Sequence, residues 1–243
     1  MQKKFFIFIS FVLVTLLVGC LYPEERKAQN QIPYEDQLQN VQNAVDQYYE
    51  DHQVLPIMNR DHDTPIYQKY PIDFSKLMPR YIQDPPGNAY ENGGVYQYVL
   101  VDVEENPTVK LIDLRIVEEI RAYQFQINQY RRENTYPPFG KVINKHLFQL
   151  DHEALGYEST PQVRSPITGN HLPFLVNGQG DIFVDYSQDL YQLLQEYGNQ
   201  YDFEEGKDDI RNIIVDHSHF VPVFSFPYTI ENGEPVFLLD ENE

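Results

Sequence analysis

Two stretches of this chain carry the same turn chemistry about 82 residues apart, which points to one small folding unit used twice. Gly87-Asn88 recurs as Gly169-Asn170, and prolines precede both: Pro85 and Pro86 in one copy, Pro166 in the other. Pro56 is echoed by Pro137, and Asn92-Gly93-Gly94 by Asn177-Gly178-Gln179-Gly180. Proline fixes φ and glycine permits a positive φ, so such clusters punctuate the chain between regular elements.

Each copy opens on an amphipathic helix. Leu38, Val41, Val45 and Tyr48 recur at spacings of three and four, as do Ile116, Ile120, Tyr123, Ile127 and Tyr130. Such residues share one helix face. The second helix is expected from near Asp113 to near Glu133, ending before Tyr136-Pro137-Pro138, because the residue ahead of a proline avoids the helical region. A proline-containing loop and a short segment follow in each copy: Ile72-Asp73-Phe74 with Leu77, and Leu150-Asp151-His152 with Leu155. Strands are expected after the Gly-Asn turns. Val95 to Val101 is rich in β-branched and aromatic residues, and Asn106-Pro107 turns the chain into Val109 to Ile112. Leu172 to Val176 and Asp181 to Tyr186 flank Asn177-Gly178, a hairpin signal.

Beyond the repeat, Leu190, Leu193, Leu194 and Tyr197 predict a third helix, followed by an acidic loop from Gly198 to Asp209. Ile213 to Val215, Val221 to Phe226 and Val236 to Leu238 read as strands. They are expected either to extend one module's sheet or to pack the modules together, with Pro222 and Pro227 placing them at an edge. The fold class is therefore α+β: two tandem helix-plus-small-antiparallel-sheet modules with a C-terminal β extension. The expected divisions are residues 37–112, 113–186 and 187–243.

The first twenty residues have another character. Lys3 and Lys4 precede an apolar run from Phe5 to Val18, interrupted only by Ser10 and Thr15. The run is too short to span a bilayer and has the length of a signal-peptide core. Leu17-Val18-Gly19-Cys20 follows. This sequence resembles the lipobox of bacterial lipoproteins, in which the thiol receives a diacylglyceryl group and the peptide is cut just before it. The resemblance implies a signal peptide over 1–19, lipidation of Cys20, a tether over 20–36 and residence on the extracytoplasmic face of the cell membrane. Cys20 is the single cysteine, so no disulfide forms within the chain, and acylation gives an exported lone thiol a role.

Removing the two N-terminal lysines leaves 16 basic against 37 acidic residues. Nucleic acid and anionic lipid headgroups would be repelled; a basic protein partner or a divalent cation would not. A metal site needs converging ligands. Asp61-His62-Asp63 lies in a polar loop, and Asp216-His217-Ser218-His219 is the densest histidine cluster. If that segment is a strand, His217 and His219 share a face, yet two ligands do not complete a zinc site. The run Asp202, Glu204, Glu205, Asp208, Asp209 lacks calcium-loop spacing and reads as a solvated segment. No Gly-x-Ser-x-Gly elbow or phosphate-binding glycine loop is present, and no catalytic residue or cofactor is assigned. Nineteen tyrosines with no tryptophan suit interfaces and carbohydrate platforms, although Tyr48, Tyr123 and Tyr130 read as rims of the core.

Two family resemblances follow from these residues. The unit of helix, proline loop, turn and small sheet resembles the globular part of type II secretion pseudopilins. There the turn reads Asp-Pro-Trp-Gly-x-x-Tyr; here it is Asp84-Pro85-Pro86-Gly87-Asn88-Ala89-Tyr90. The second copy departs from it, with Ser165 for the aspartate and Thr168 inserted. The family's filament-assembly residues are missing, so only the fold is implied. Along its whole length the chain resembles the YphF-like lipoproteins of Bacillus relatives, a likeness that implies location and no activity. The leading expectation is a non-catalytic binding or scaffold protein of the cell envelope, anchored by lipid and facing a protein partner. The alternatives are an envelope enzyme acting on cell-wall glycan through carboxylates, and a ligand- or cation-binding lipoprotein.

Overall fold

The computed structural model describes residues 34–238. Residues 1–19, expected as a signal peptide, with Leu17, Val18 and Gly19 among them, and Cys20 lie outside the described residues.

The first helix, α1 (Tyr34–His52), starts inside the segment read as tether. Glu35 and Asp36 occupy its first turn and His52 its last, which complements the helix dipole at both ends. Val41, Ala44 and Val45 are its buried stripe. After a 3₁₀ turn at Ile66–Gln68 comes α2 (Phe74–Leu77), whose cap Asp73 accepts from Ser75 N. The hairpin of β1 (Tyr96–Val101) and β2 (Thr108–Asp113) follows, paired antiparallel from Tyr96↔Asp113 to Val101↔Thr108. Asp113 then caps α3 (Leu114–Asn134) by accepting from Arg115 N, and Thr135, at φ 71°, ends that helix ahead of Pro137.

The hairpin is buried on both faces. Successive strand residues point to opposite sides. Tyr98, Leu100, Val109 and Leu111 enter one core with α1 and α2. Val99, Val101 and Ile112 enter the other with α3 and the second sheet. One ribbon thus belongs to both modules, which is why it reads as a nearly unbroken apolar run.

The second sheet contains β3 (Phe139–Val142), β4 (Leu147–Leu150), β5 (Gln162–Arg164), β6 (His171–Asn177) and β7 (Ile182–Val184). Its pairing runs β3 to β4 to β6, with β5 and β7 also on β6. The first module repeats that order in reduced form. Ile57 bridges Ile72, Pro71 bridges Val99, and β1 then pairs with β2. The two glycine–asparagine turns each lead into a strand, but the other echo has no structural counterpart. Asn92-Gly93-Gly94 precedes β1, whereas residues 177–180 join β6 to β7.

The C-terminal part departs from the sequence reading. Helix α4 (Ser187–Tyr197) forms as expected. Residues 213–215, expected as a strand, lie in α5 (Asn212–His217). Ile210, Ile213 and Ile214 are fully buried, and their spacing is helical, so tertiary packing overrides β-branched propensity. Residues 221–226 form no strand: Phe224 sits at φ 55°, and the two prolines supply no N–H. Instead the segment makes two single parallel bridges, Phe220 with Leu111 of β2 and Ser225 with Val184 of β7. It straps one sheet edge to the other. The final hairpin is β8 (Tyr228–Glu231) with β9 (Glu234–Phe237), turning at Asn232-Gly233.

Tyr228 fixes this strap. Its hydroxyl donates to Asp185 Oδ1 at 2.8 Å and accepts from Tyr186 N at 3.0 Å, while the Tyr186 hydroxyl donates to Val223 O. Tyr228→Phe would orphan a buried N–H and deprive a carboxylate of a donor. The expected loss is about 2 kcal/mol, read as a lower urea midpoint with an unchanged m-value.

Candidate functional site

The 3₁₀ turn, the tip of the shared hairpin and α5 meet around a groove of about 660 Å³. Pro65 precedes the turn with φ −53°, and Tyr67 in the turn is partly buried. Asp102, at φ 50°, reverses the chain after β1, and Asn106 N bonds back to its carbonyl. The strap holds α5 opposite these two segments.

Tyr67, Tyr70, Val103 and Val215 are partly buried and line the groove with Val101. Ile66 stands beside them at 61% exposure. The Arg211 guanidinium lies 5.2 Å from the Tyr67 ring centre and is itself held by Asp209 and Ser225 O. Burial pushes the Tyr67 hydroxyl up to about 12, against the opposing pull of Arg211. That tyrosine therefore stays neutral at physiological pH.

The rim is acidic. Asp102, Glu104, Glu105 and Asp216 line it, with Lys69 as the one cation of the lining among the described residues. Asp216 accepts from the Tyr201 hydroxyl at 2.7 Å. Among the described residues, Asp102, Glu104 and Glu105 have no ion pair or side-chain hydrogen bond. Lys69 leans toward the Tyr70 ring, 5.8 Å from its centre. A groove of this size, apolar below and polar at the edge, has the make-up of a ligand or peptide pocket.

A second cleft, of about 600 Å³, lies between the start of α3 and the 162–169 segment. One of its two carboxylates is already paired. Asp113 is 3% exposed and gripped by Arg115, leaving Glu119 as the other acid on the wall. Beneath this cleft, buried Asp189 accepts from Ser165, Thr168 and Asn170.

The histidine pair expected from the sequence is not brought together as strand neighbours. His217 ends α5, stacks on Tyr197 with ring centres 3.8 Å apart, and hydrogen-bonds the Tyr201 hydroxyl. His219 lies beyond the helix against Tyr34, with Glu35 Oε1 at 4.0 Å. Among the described residues no group of three or more His, Cys, Asp or Glu is placed to hold a metal. The acidic run is partly self-paired: Lys207 meets Glu204, Arg211 meets Asp209, and Glu204 N donates to Asp208. Tyr48 and Tyr123 pack half-buried against the two cores, as rim residues should.

Sequence reasoning did not single out Ile66, Tyr67, Tyr70, Glu104 or Glu105. The one local signal was the acidic tip after β1; the facing wall comes from α5, over a hundred residues away, and no spacing rule connects them.

Among the described residues no helix is long and apolar enough to cross a membrane. No curated protein and no solved structure matches the chain. Residues 34–113 match the model of the YphF family N-terminal domain. That span starts on the first residue of α1 and ends on the last residue of β2, so it takes in the first module together with the ribbon it shares with the second. In this part the protein is YphF-like.

Proposed function

We propose that this chain is a lipid-anchored protein of the cell envelope with a non-catalytic binding or scaffold role, and that the groove between hairpin tip and α5 is its recognition site. One observation carries the reading: an open apolar groove with unpaired carboxylates on its rim, built from the first module and the C-terminal helix α5. The lipobox-like Leu17-Val18-Gly19-Cys20 supports the anchoring, since two or three acyl chains at about 0.8 kcal/mol per buried CH₂ hold a protein durably at a membrane. The pseudopilin-like reading of the modules accompanies this proposal as a statement about fold alone.

Anchoring is tested by Cys20→Ala. The expected result is loss of the protein from the membrane fraction or accumulation of uncleaved precursor. Unchanged fractionation of a cleaved protein would refute it. Crosslinking in intact cells tests the binding role, and the expected product is a discrete protein adduct that Glu105→Lys diminishes.

A further inference from the structure

We infer that the groove receives a cationic peptide segment, one that sets an aliphatic or aromatic side chain on the Tyr67–Tyr70 floor and its lysines or arginines against the rim. This inference rests on the binding role proposed above and names the chemistry of the partner.

Floor and rim make separate demands. The floor offers Tyr67, Tyr70, Val103 and Val215, with Ile66 projecting into solvent beside them. Covering such a surface releases water from apolar area. It calls for a side chain of leucine or phenylalanine size, which the volume of about 660 Å³ accommodates together with its neighbours. The rim selects the charge. Asp102, Glu104 and Glu105 stand on one short turn, exposed and without partners among the described residues, and Asp216 faces them from α5. Four carboxylates against Lys69 leave a local field that repels anions and is relieved by a bound cation. Nucleic acid, phosphoryl groups and acidic peptides are thereby disfavoured.

The geometry also favours a peptide over a lone metal ion. No three ligating groups converge at the rim among the described residues, whereas four separate carboxylates can each meet an ammonium or guanidinium group. The overall charge of −19 adds long-range steering, which raises association rates for a basic partner and fades with salt.

The test uses the full-length protein in a neutral detergent, with fluorescence anisotropy of three labelled peptides of equal length. One alternates lysine with phenylalanine, one alternates lysine with glycine, and one alternates glutamate with phenylalanine. The lysine–phenylalanine peptide is expected to bind best. Its affinity should fall at least tenfold in the double variant Glu104→Lys, Glu105→Lys, and severalfold in Ile66→Ser. All three positions are exposed, so melting temperatures should stay at the wild-type value. Glu153→Lys, remote in sequence and exposed, should leave binding intact. Raising salt to roughly 0.5 M, where screening reaches within a few ångströms, should weaken binding. Equal affinity for the lysine–glycine peptide would overturn the role of the floor. Equal affinity for the glutamate peptide, or retention in the double variant, would overturn the assignment altogether. So would saturation by calcium alone with no peptide binding. Failure here leaves the Cys20→Ala result untouched, and failure of anchoring leaves the peptide titration untouched, so the two readings fall separately.

Discussion

Alanine at Gly94 is expected to cost about 3 kcal/mol or more, as overpacking against an immovable neighbour does, and to lower the melting temperature by about 6–12 °C for a domain of this size. The reason is backbone against backbone. A Cβ on Gly94 would overlap the carbonyl of Asn88 and stand 2.6 Å from its Cα. Asn88 cannot retreat cheaply. Its carbonyl accepts from Tyr96 N at 3.1 Å, and its side-chain oxygen accepts from the buried Tyr98 hydroxyl at 2.7 Å. Its own N–H donates to Gln37 on α1 at 3.3 Å. Displacing it would therefore loosen the start of β1 and the seat of α1 together. Gly178→Ala is the control: nothing lies within 4 Å of a Cβ there, and the change should fall within about 0.5 kcal/mol. Denaturant melts of the two variants side by side check the claim; equal midpoints would refute it.

The same pair of glycines shows how far the sequence could be read. Both belonged to an apparent echo, and only one is pinned against another backbone. Local composition names a turn, but it does not say what the turn touches. Elements whose periodicity agrees with their environment were legible. Helix α3 begins at its Asp113 cap and stops before Pro137, and β1 and β2 flank Asn106-Pro107 as their residues suggest. Where tertiary contacts overruled propensity, the reading failed. Ile213, Ile214 and Val215 favour a strand in isolation, but the core needs Ile210, Ile213 and Ile214 on one side, and only a helix supplies that. The sequence left open whether residues 221–226 extend one sheet or pack the modules together, and it pointed to a strand where the structure has two isolated bridges. The candidate groove was the least legible feature of all. It exists only because the strap carries Val215 and Asp216 to the tip of a hairpin formed from residues far earlier in the chain.

Removing the carboxylate of Asp189 is expected to be the other large perturbation, because a loop is hung on it. The second module's turn has Ser165 where the first has Asp84, and Ser165 is itself held by a carboxylate on α4. Asp189 is fully buried and accepts from the hydroxyls of Ser165 and Thr168 and from Asn170 Nδ2 at 3.3 Å. Ser165 Oγ in turn accepts from Ile167 N and Thr168 N, so the carboxylate organises the whole 165–170 loop at second hand. Asp189→Ala would leave these donors without their acceptor in a dry site, at a cost of about 3 kcal/mol. The pH dependence is a finer test. Burial raises the Asp189 carboxyl above its ordinary range, while its three donors pull it back down. A carboxyl raised in the folded state binds its proton more tightly there than in the unfolded chain. Its contribution to stability is thus complete below the unfolded value, about 3.9, and declines as pH rises through the higher folded value. Asp189→Asn removes that titration and leaves every other group in place. The stability of the asparagine variant relative to wild type should accordingly rise with pH across that window and level off above it. Thermal melts of both proteins at matched ionic strength from acid to neutral pH give the difference directly. A difference that stayed flat would mean that the donors just offset burial, and one that sloped the other way that they stabilise the charged form by more than burial disfavours it; either result refutes the raised carboxyl.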